Sequence, residues 1–177
     1  MRGNLFRSLS VLSVFAVSAC ASWGTLEVGH PRSDVIPPGK SVALWVTPTI
    51  PGDASKDARK DASEVADRLK SELFGRLVSE GIFSYVFQPG EPADYRMDVS
   101  VMQAEEVSPA ARFWLGALAG RNNLKAAVAL YEEATGDLMT DFKVTGQSGS
   151  VSSRSDVEDA VHEAANQIIL ALKGESS

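Results

Sequence analysis

The chain has 177 residues, with 17 Lys and Arg against 23 Asp and Glu, two His and a single Cys, for a formal net charge of −6. That acidic balance excludes the basic footprint of a nucleic-acid-binding domain and argues against adsorption to anionic lipid through a basic patch. One cysteine excludes an intrachain disulfide, and with only His30 and His162 beside it a zinc site would be short of ligands.

At the amino terminus Arg2 and Arg7 precede an apolar run from Leu9 to Ala19, the layout of an export signal. The run is well short of the roughly 20 residues that a membrane-spanning helix needs. It closes on Val17-Ser18-Ala19-Cys20, which resembles the lipobox of bacterial lipoproteins. The resemblance implies that residues 1–19 are a signal peptide and are removed. Cys20 would then become the mature amino terminus, carrying thioether-linked diacylglycerol with acyl chains such as palmitate. Ordinary secretion is the competing reading. It would leave Cys20 as an unpaired thiol in an oxidising compartment, a state exported proteins usually avoid. A single acyl chain gives only marginal membrane binding, whereas several make attachment stable. Ala21, in place of an aspartate, follows the cysteine; by the sorting rule of enteric bacteria this favours the periplasmic face of the outer membrane. Removing 19 of the 177 residues leaves 158, with 15 basic and 23 acidic side chains, a net −8.

Residues 20–40, with His-Pro, Pro-Pro-Gly and little periodicity, read as a lipidated tether in irregular or polyproline-like conformation. Residues 41–174 read as one α/β domain. Val42, Leu44 and Val46 alternate with Ala43, Trp45 and Thr47, the mark of a central strand that Pro48, Pro51 and Gly52 end. A helix is predicted from about Asp61 to Glu80 on the stripe Val65, Leu69, Leu73 and Leu77, with i,i+4 pairs Glu64–Arg68 and Glu72–Arg76 and a cap at Gly81. Strands follow at residues 82–87, at residues 95–101, and at residues 124–130. The last is joined through Ala134-Thr-Gly-Asp137 to its hairpin partner beginning at Leu138. Ser155-Asp-Val-Glu158 opens a closing helix whose stripe runs through Val157, Val161, Ala164, Ile168 and Leu172 and which Gly174 ends. Two helices do not cover both faces of such a sheet. The expected fold is therefore a two-layer α/β (α+β) sandwich: a mixed sheet of about five strands with both helices on one face, in the order β-α-β-β-β-β-α.

Between the strands, residues 107–123 are apolar where a connection is usually polar. Phe113, Trp114, Leu115 and Leu118 stand between Arg112 and Arg121. A connection of this length in a compact domain is usually functional or folded on itself. It reads either as a piece whose aromatics tuck onto the open sheet face or as a partner-contact loop that inserts into an envelope protein or the lipid surface. The run from Arg112 to Gly120, the strand Leu124 to Leu130 and the turn Glu133-Ala-Thr-Gly-Asp-Leu138 together resemble an uncharacterised bacterial lipoprotein family, domain of unknown function 4410. The resemblance extends over Ser41 to Lys173, and it implies a periplasmic lipoprotein without known catalysis. The element order is also similar to the small α/β domains of curli-secretion lipoproteins and of the amino-terminal part of the Tol-Pal β-propeller protein, a likeness of fold that does not fix function.

The carboxylates Glu105-Glu106, Glu132-Glu133 and Asp156, Glu158, Asp159 have structural roles open to them as helix-start and turn residues. Ser148, Ser150, Ser152 and Ser153 have no nucleophile motif around them, and His162 lies off the apolar stripe. The expectation is a non-enzymatic protein that binds or helps assemble envelope components, anchored to the membrane through Cys20, with no catalytic residue, metal or cofactor and no nucleic-acid partner. The competing expectation is an envelope hydrolase that gathers carboxylates in a surface cleft.

Overall fold

The computed structural model describes residues 23–31, 35–49, 56–105, 123–148 and 156–175. They form six strands and two helices. In chain order these are β1 (Trp23–His30), β2 (Ser41–Pro48), α1 (Lys56–Ser79), β3 (Tyr85–Phe87), β4 (Tyr95–Glu105), β5 (Asn123–Glu132), β6 (Leu138–Gln147) and α2 (Asp156–Lys173). The strands make one mixed sheet in the order β1-β6-β5-β4-β2-β3. β2 runs parallel to β3 and β4, and the remaining neighbours pair antiparallel. α1 lies over the β2 side, α2 lies over β6, β5 and β1, and the two helices touch each other. Both therefore cover the same face, as the helix count predicts.

The apolar periodicities become the core. Leu69, Leu73 and Leu77 of α1 and Ala164 and Ile168 of α2 are fully enclosed, and they meet Val42, Leu44, Met97, Val99, Ala126, Val128 and Leu130 from the sheet. Alternation along β4, β5 and β6 sends every second side chain into this layer. α1 starts earlier than the apolar stripe suggests, at Lys56, because its first turns are polar on all sides. It stops at Gly81, whose φ of +70° closes the helix with bonds from the Gly81 and Ile82 amides to the carbonyls of Val78 and Leu77. The β5–β6 turn uses Gly136 at φ +77°, with the Gly136 amide donating to the Glu132 carbonyl at 2.8 Å.

One part of the expected tether is structured. Residues 23–30 form a sixth strand, β1, antiparallel to β6 from Trp23↔Gln147 to Val28↔Phe142, with a bulge before His30. Its alternation is weak because it is an edge strand with Val28 and Glu27 both exposed, so a period-two signal never develops. What holds it is position. Gly24 faces Gly146 across the ladder, and α2 crosses directly above both. A Cβ on Gly146 would stand 2.1 Å from the Ala160 carbonyl oxygen, and one on Gly24 would stand 2.6 Å from Gln167 Cγ. The paired glycines let helix and sheet approach more closely than any side chain would allow.

Candidate functional site

The polar chemistry of the described residues gathers in three places. The first is at the end of the sheet where β2 and β4 begin. Ser41 at the start of β2 donates from its amide (2.9 Å) and its hydroxyl (2.7 Å) to Asp94 Oδ2, and Lys40 Nζ donates to Asp94 Oδ1 at 2.8 Å. The Asp94 amide in turn donates to Ser41 Oγ, and the Asp94 carbonyl accepts from the Glu133 amide. Lys40, the Ser41 hydroxyl and the Ser41 amide, in that order, hold the Asp94 carboxyl down at about 2, against its ordinary 3.8. The same carboxylate raises the pKa of Lys40. Glu132, Glu133, Tyr95 and Ala134 complete a cleft of about 260 Å³ beside this pair. Glu132 Oε2 accepts from the Thr135 hydroxyl at 3.0 Å within the turn.

The second place is the seam between the helices. Glu72 Oε1 accepts from His162 Nδ1 at 2.8 Å and lies 3.8 Å from Arg76 Nη1, and Arg76 donates to Asn166 Oδ1 at 2.6 Å. Lys173 Nζ donates to Glu80 Oε2 at 2.9 Å, which lowers the pKa of Glu80. The pair Glu72–Arg76 is where the helix spacing puts it. Glu64 instead pairs with Lys60, and Arg68 reaches across to Glu158. An open groove of about 540 Å³, lined by Asp67, Arg68, Ser71, Glu72, Glu158 and Val161, runs along this seam.

The third place is the sheet face turned away from the helices. There the Arg96 guanidinium lies 4.5 Å over the Tyr131 ring, with its Nε 3.3 Å from Asp98 Oδ2. At the β1 edge, His30 and Asp141 pair, and the Thr140 hydroxyl donates to the His30 carbonyl at 2.7 Å.

These arrangements are interstrand and interhelical ties. Asp94, ionised throughout the physiological range, is engaged by three donors, and both histidines are paired with carboxylates. His162, off the apolar stripe of its helix, is exposed and bonded to Glu72 of α1. Glu132 and Glu133 border the turn, and Ser148 is buried. Among the described residues no group of three or more His, Cys, Asp or Glu is arranged to hold a metal ion, and no helix is long and apolar enough to cross a membrane. Two sites named from the sequence, Cys20 and the segment with Phe113, Trp114, Leu115 and Leu118, lie outside the described residues, as do Glu106, Ser150, Ser152 and Ser153. The Asp94 tie was missed in the sequence, since Lys40 and Asp94 stand 54 positions apart and neither carries a local motif. The seam pairs Glu72–His162 and Arg76–Asn166 were missed for the same reason.

The profile of a family described as "Domain of unknown function (DUF4410)" matches residues 31–172. Among curated proteins nothing matches. Among solved structures, the fold is similar to dodecameric PelC from Paraburkholderia phytofirmans, at 11% identity and a TM-score of 0.56 over 87% of this chain and 99% of that one. A leucine-to-methionine variant of the same dodecamer gives 15% identity and a TM-score of 0.51 over 85% and 97% of the two chains.

Proposed function

The chain belongs to the DUF4410 family, and from that premise we propose that it is a lipid-anchored domain of the bacterial envelope with a non-enzymatic binding or assembly role. The observation that carries the reading is the apolar segment ending in Val17-Ser18-Ala19-Cys20, followed after two residues by the first strand of a folded domain. Lipidation of Cys20 at the periplasmic face of the outer membrane is the form of anchoring proposed. Support for binding over hydrolysis comes from the carboxylates. Asp94, held at about 2, stays ionised and cannot act as a general acid near neutral pH. Glu72 and Glu80 are committed to interhelical pairs. Support for assembly comes from the sheet, which ends on unlike edges, β1 on one side and β3 on the other. A head-to-tail contact between unlike surfaces closes into a ring when the rotation permits, and the PelC structures are dodecamers.

The test is in-cell cross-linking and affinity capture of the full chain, wild type against a Trp114→Glu, Leu118→Glu variant whose folding is checked by circular dichroism. Capture of an envelope protein, or of further copies of the chain, by wild type and its loss in the folded variant is the expected result. Equal capture by both would remove the 113–118 segment as the contact.

A further inference from the structure

Both sides of the sheet leave strand backbone unpaired, and they do so at matching heights. β1 is an edge strand of eight residues, with no proline and a single charge, Glu27, so it carries little of what natural edges use to prevent pairing. On the opposite side β3 pairs only with Ser41, Val42 and Ala43. Among the described residues the rest of β2, from Leu44 to Pro48, has no strand beside it there, which leaves a notch next to β3. One row of the register joins the two places. Val46, Val99, Val128, Phe142 and Val28 are successive partners from β2 to β1. The three in the middle are buried, whereas Val28 is 47% exposed and Val46 is only partly covered.

Resting on the assembly reading above, we infer that β1 of one copy pairs antiparallel with the free edge of β2, Leu44 to Pro48, in a second copy of the chain. Direction fits, because β6 runs the same way as β2 and β1 runs against β6. With Val28 opposite Val46 of the next copy, Leu26 meets Pro48 on the helix-covered face and Glu27 meets Thr47 on the other. Apolar side chains then face apolar ones, and the carboxylate faces a hydroxyl rather than a like charge.

Charge decides between this head-to-tail contact and a two-fold pairing of β1 with itself. α2 stands over β1, with Glu163 close above Gly24, and Asp159 lies on the same flank. α1 stands over β2. Arg68, Glu72 and Arg76 face α2, so the helical turn of about 3.6 residues puts Lys56, Lys60, Lys70, Phe74 and Val78 on the opposite flank, with Asp67 as the acid among them. β1 against β1 would set one acidic flank against another. Head to tail, the acidic flank of α2 meets the basic flank of α1. The helix pairs give the heights: Arg68 is level with Glu158 and Glu72 with His162, so Lys70 is level with Ala160, between Asp159 and Glu163. Further along, exposed Phe74 and Val78 meet the part of α2 that ends in the partly buried Leu170 and Ala171. Each copy offers both halves of the contact, so assembly continues past a dimer, each copy turned from the last by the twist of the sheet.

The experiment uses the full chain produced in bacteria and extracted in detergent. Val28→Cys, Val46→Cys and the double variant are oxidised mildly and run on non-reducing gels, with wild type as the background from Cys20. The double variant is expected to give a ladder of dimers, trimers and larger species, a mixture of the two single variants to give dimers, and neither single variant alone to exceed wild type. Sedimentation measures assembly without cross-linking. There Lys70→Glu, an exposed-flank change that leaves the circular dichroism melt unchanged, is expected to shift the distribution several-fold towards monomer. If wild type assembles but the double variant gives no ladder, or Lys70→Glu assembles as wild type does, the contact is overturned and the assembly reading stands. Cross-linking of Val28→Cys alone overturns it in favour of a two-fold β1 pair. A wild-type chain that sediments as a monomer overturns the assembly reading, and the contact with it.

Discussion

The Asp94 carboxylate ties the start of β2 to the residue that precedes β4, and its backbone carbonyl takes the Glu133 amide just after β5. Its folded pKa of about 2 lies below the ordinary 3.8, so its bonds stabilise the fold wherever both folded and unfolded chains are ionised, above about pH 4. As pH falls from there towards 2 the unfolded chain takes up a proton while the folded one resists, and the contribution drains away. Because the side chain is 36% exposed, solvent screening limits that contribution to about 1 kcal/mol. Denaturant titrations at pH 7 are therefore expected to find Asp94→Asn less stable than wild type by about this amount, with the gap narrowing between pH 4 and pH 2. A gap independent of pH would mean that the carboxylate's charge is not what ties the strands. The same scale holds the clearest limit of sequence reading. Gly24 and Gly146 look like ordinary glycines in a sequence, and only the approach of Ala160 and Gln167 shows why no larger residue fits. Lys40 and Asp94, likewise, carry no sign of each other.

Elements were far more legible than pairs. α2, β5 and β6 announce themselves because burial on one face imposes a period, 3.6 in the helix and 2 in the strands, and Leu124, Ala126, Val128 and Leu130 are buried as the alternation requires. Gly81, Gly136 and Gly174 punctuate where left-handed backbone is needed. β1 escaped because an edge strand with exposed Val28 and Glu27 imposes no alternation, and its flanking prolines suggest a tether. The strand interpretation has a direct consequence. Deleting residues 23–30 removes the Leu26 packing and the whole β1–β6 ladder, and is expected to cost about 2 kcal/mol or more, lowering the melting temperature by roughly 5 °C. An unchanged melting temperature would return that segment to the role of a linker. The functional contacts proposed for Phe113 to Leu118 were legible only as composition, since an apolar run without strong period marks an unusual connection and leaves its placement open.

For the whole molecule, sequence and fold give complementary halves of one account. The acidic balance is read from the residues, and export and attachment are proposed from them. The packing of both helices on one face and the unlike sheet edges come from the three-dimensional arrangement. They meet at Cys20, three positions before the first strand, and the proposed anchoring depends on what that residue carries. The most direct measurement is intact-mass and amino-terminal peptide mass spectrometry of the protein extracted from bacterial membranes, with Cys20→Ser processed in parallel. The account predicts a wild-type chain that lacks residues 1–19, begins at Cys20 and carries the mass of diacylglycerol and further acyl groups, with the variant absent from that lipidated form. A wild-type chain that begins elsewhere, or begins at Cys20 with an unmodified thiol, would contradict it.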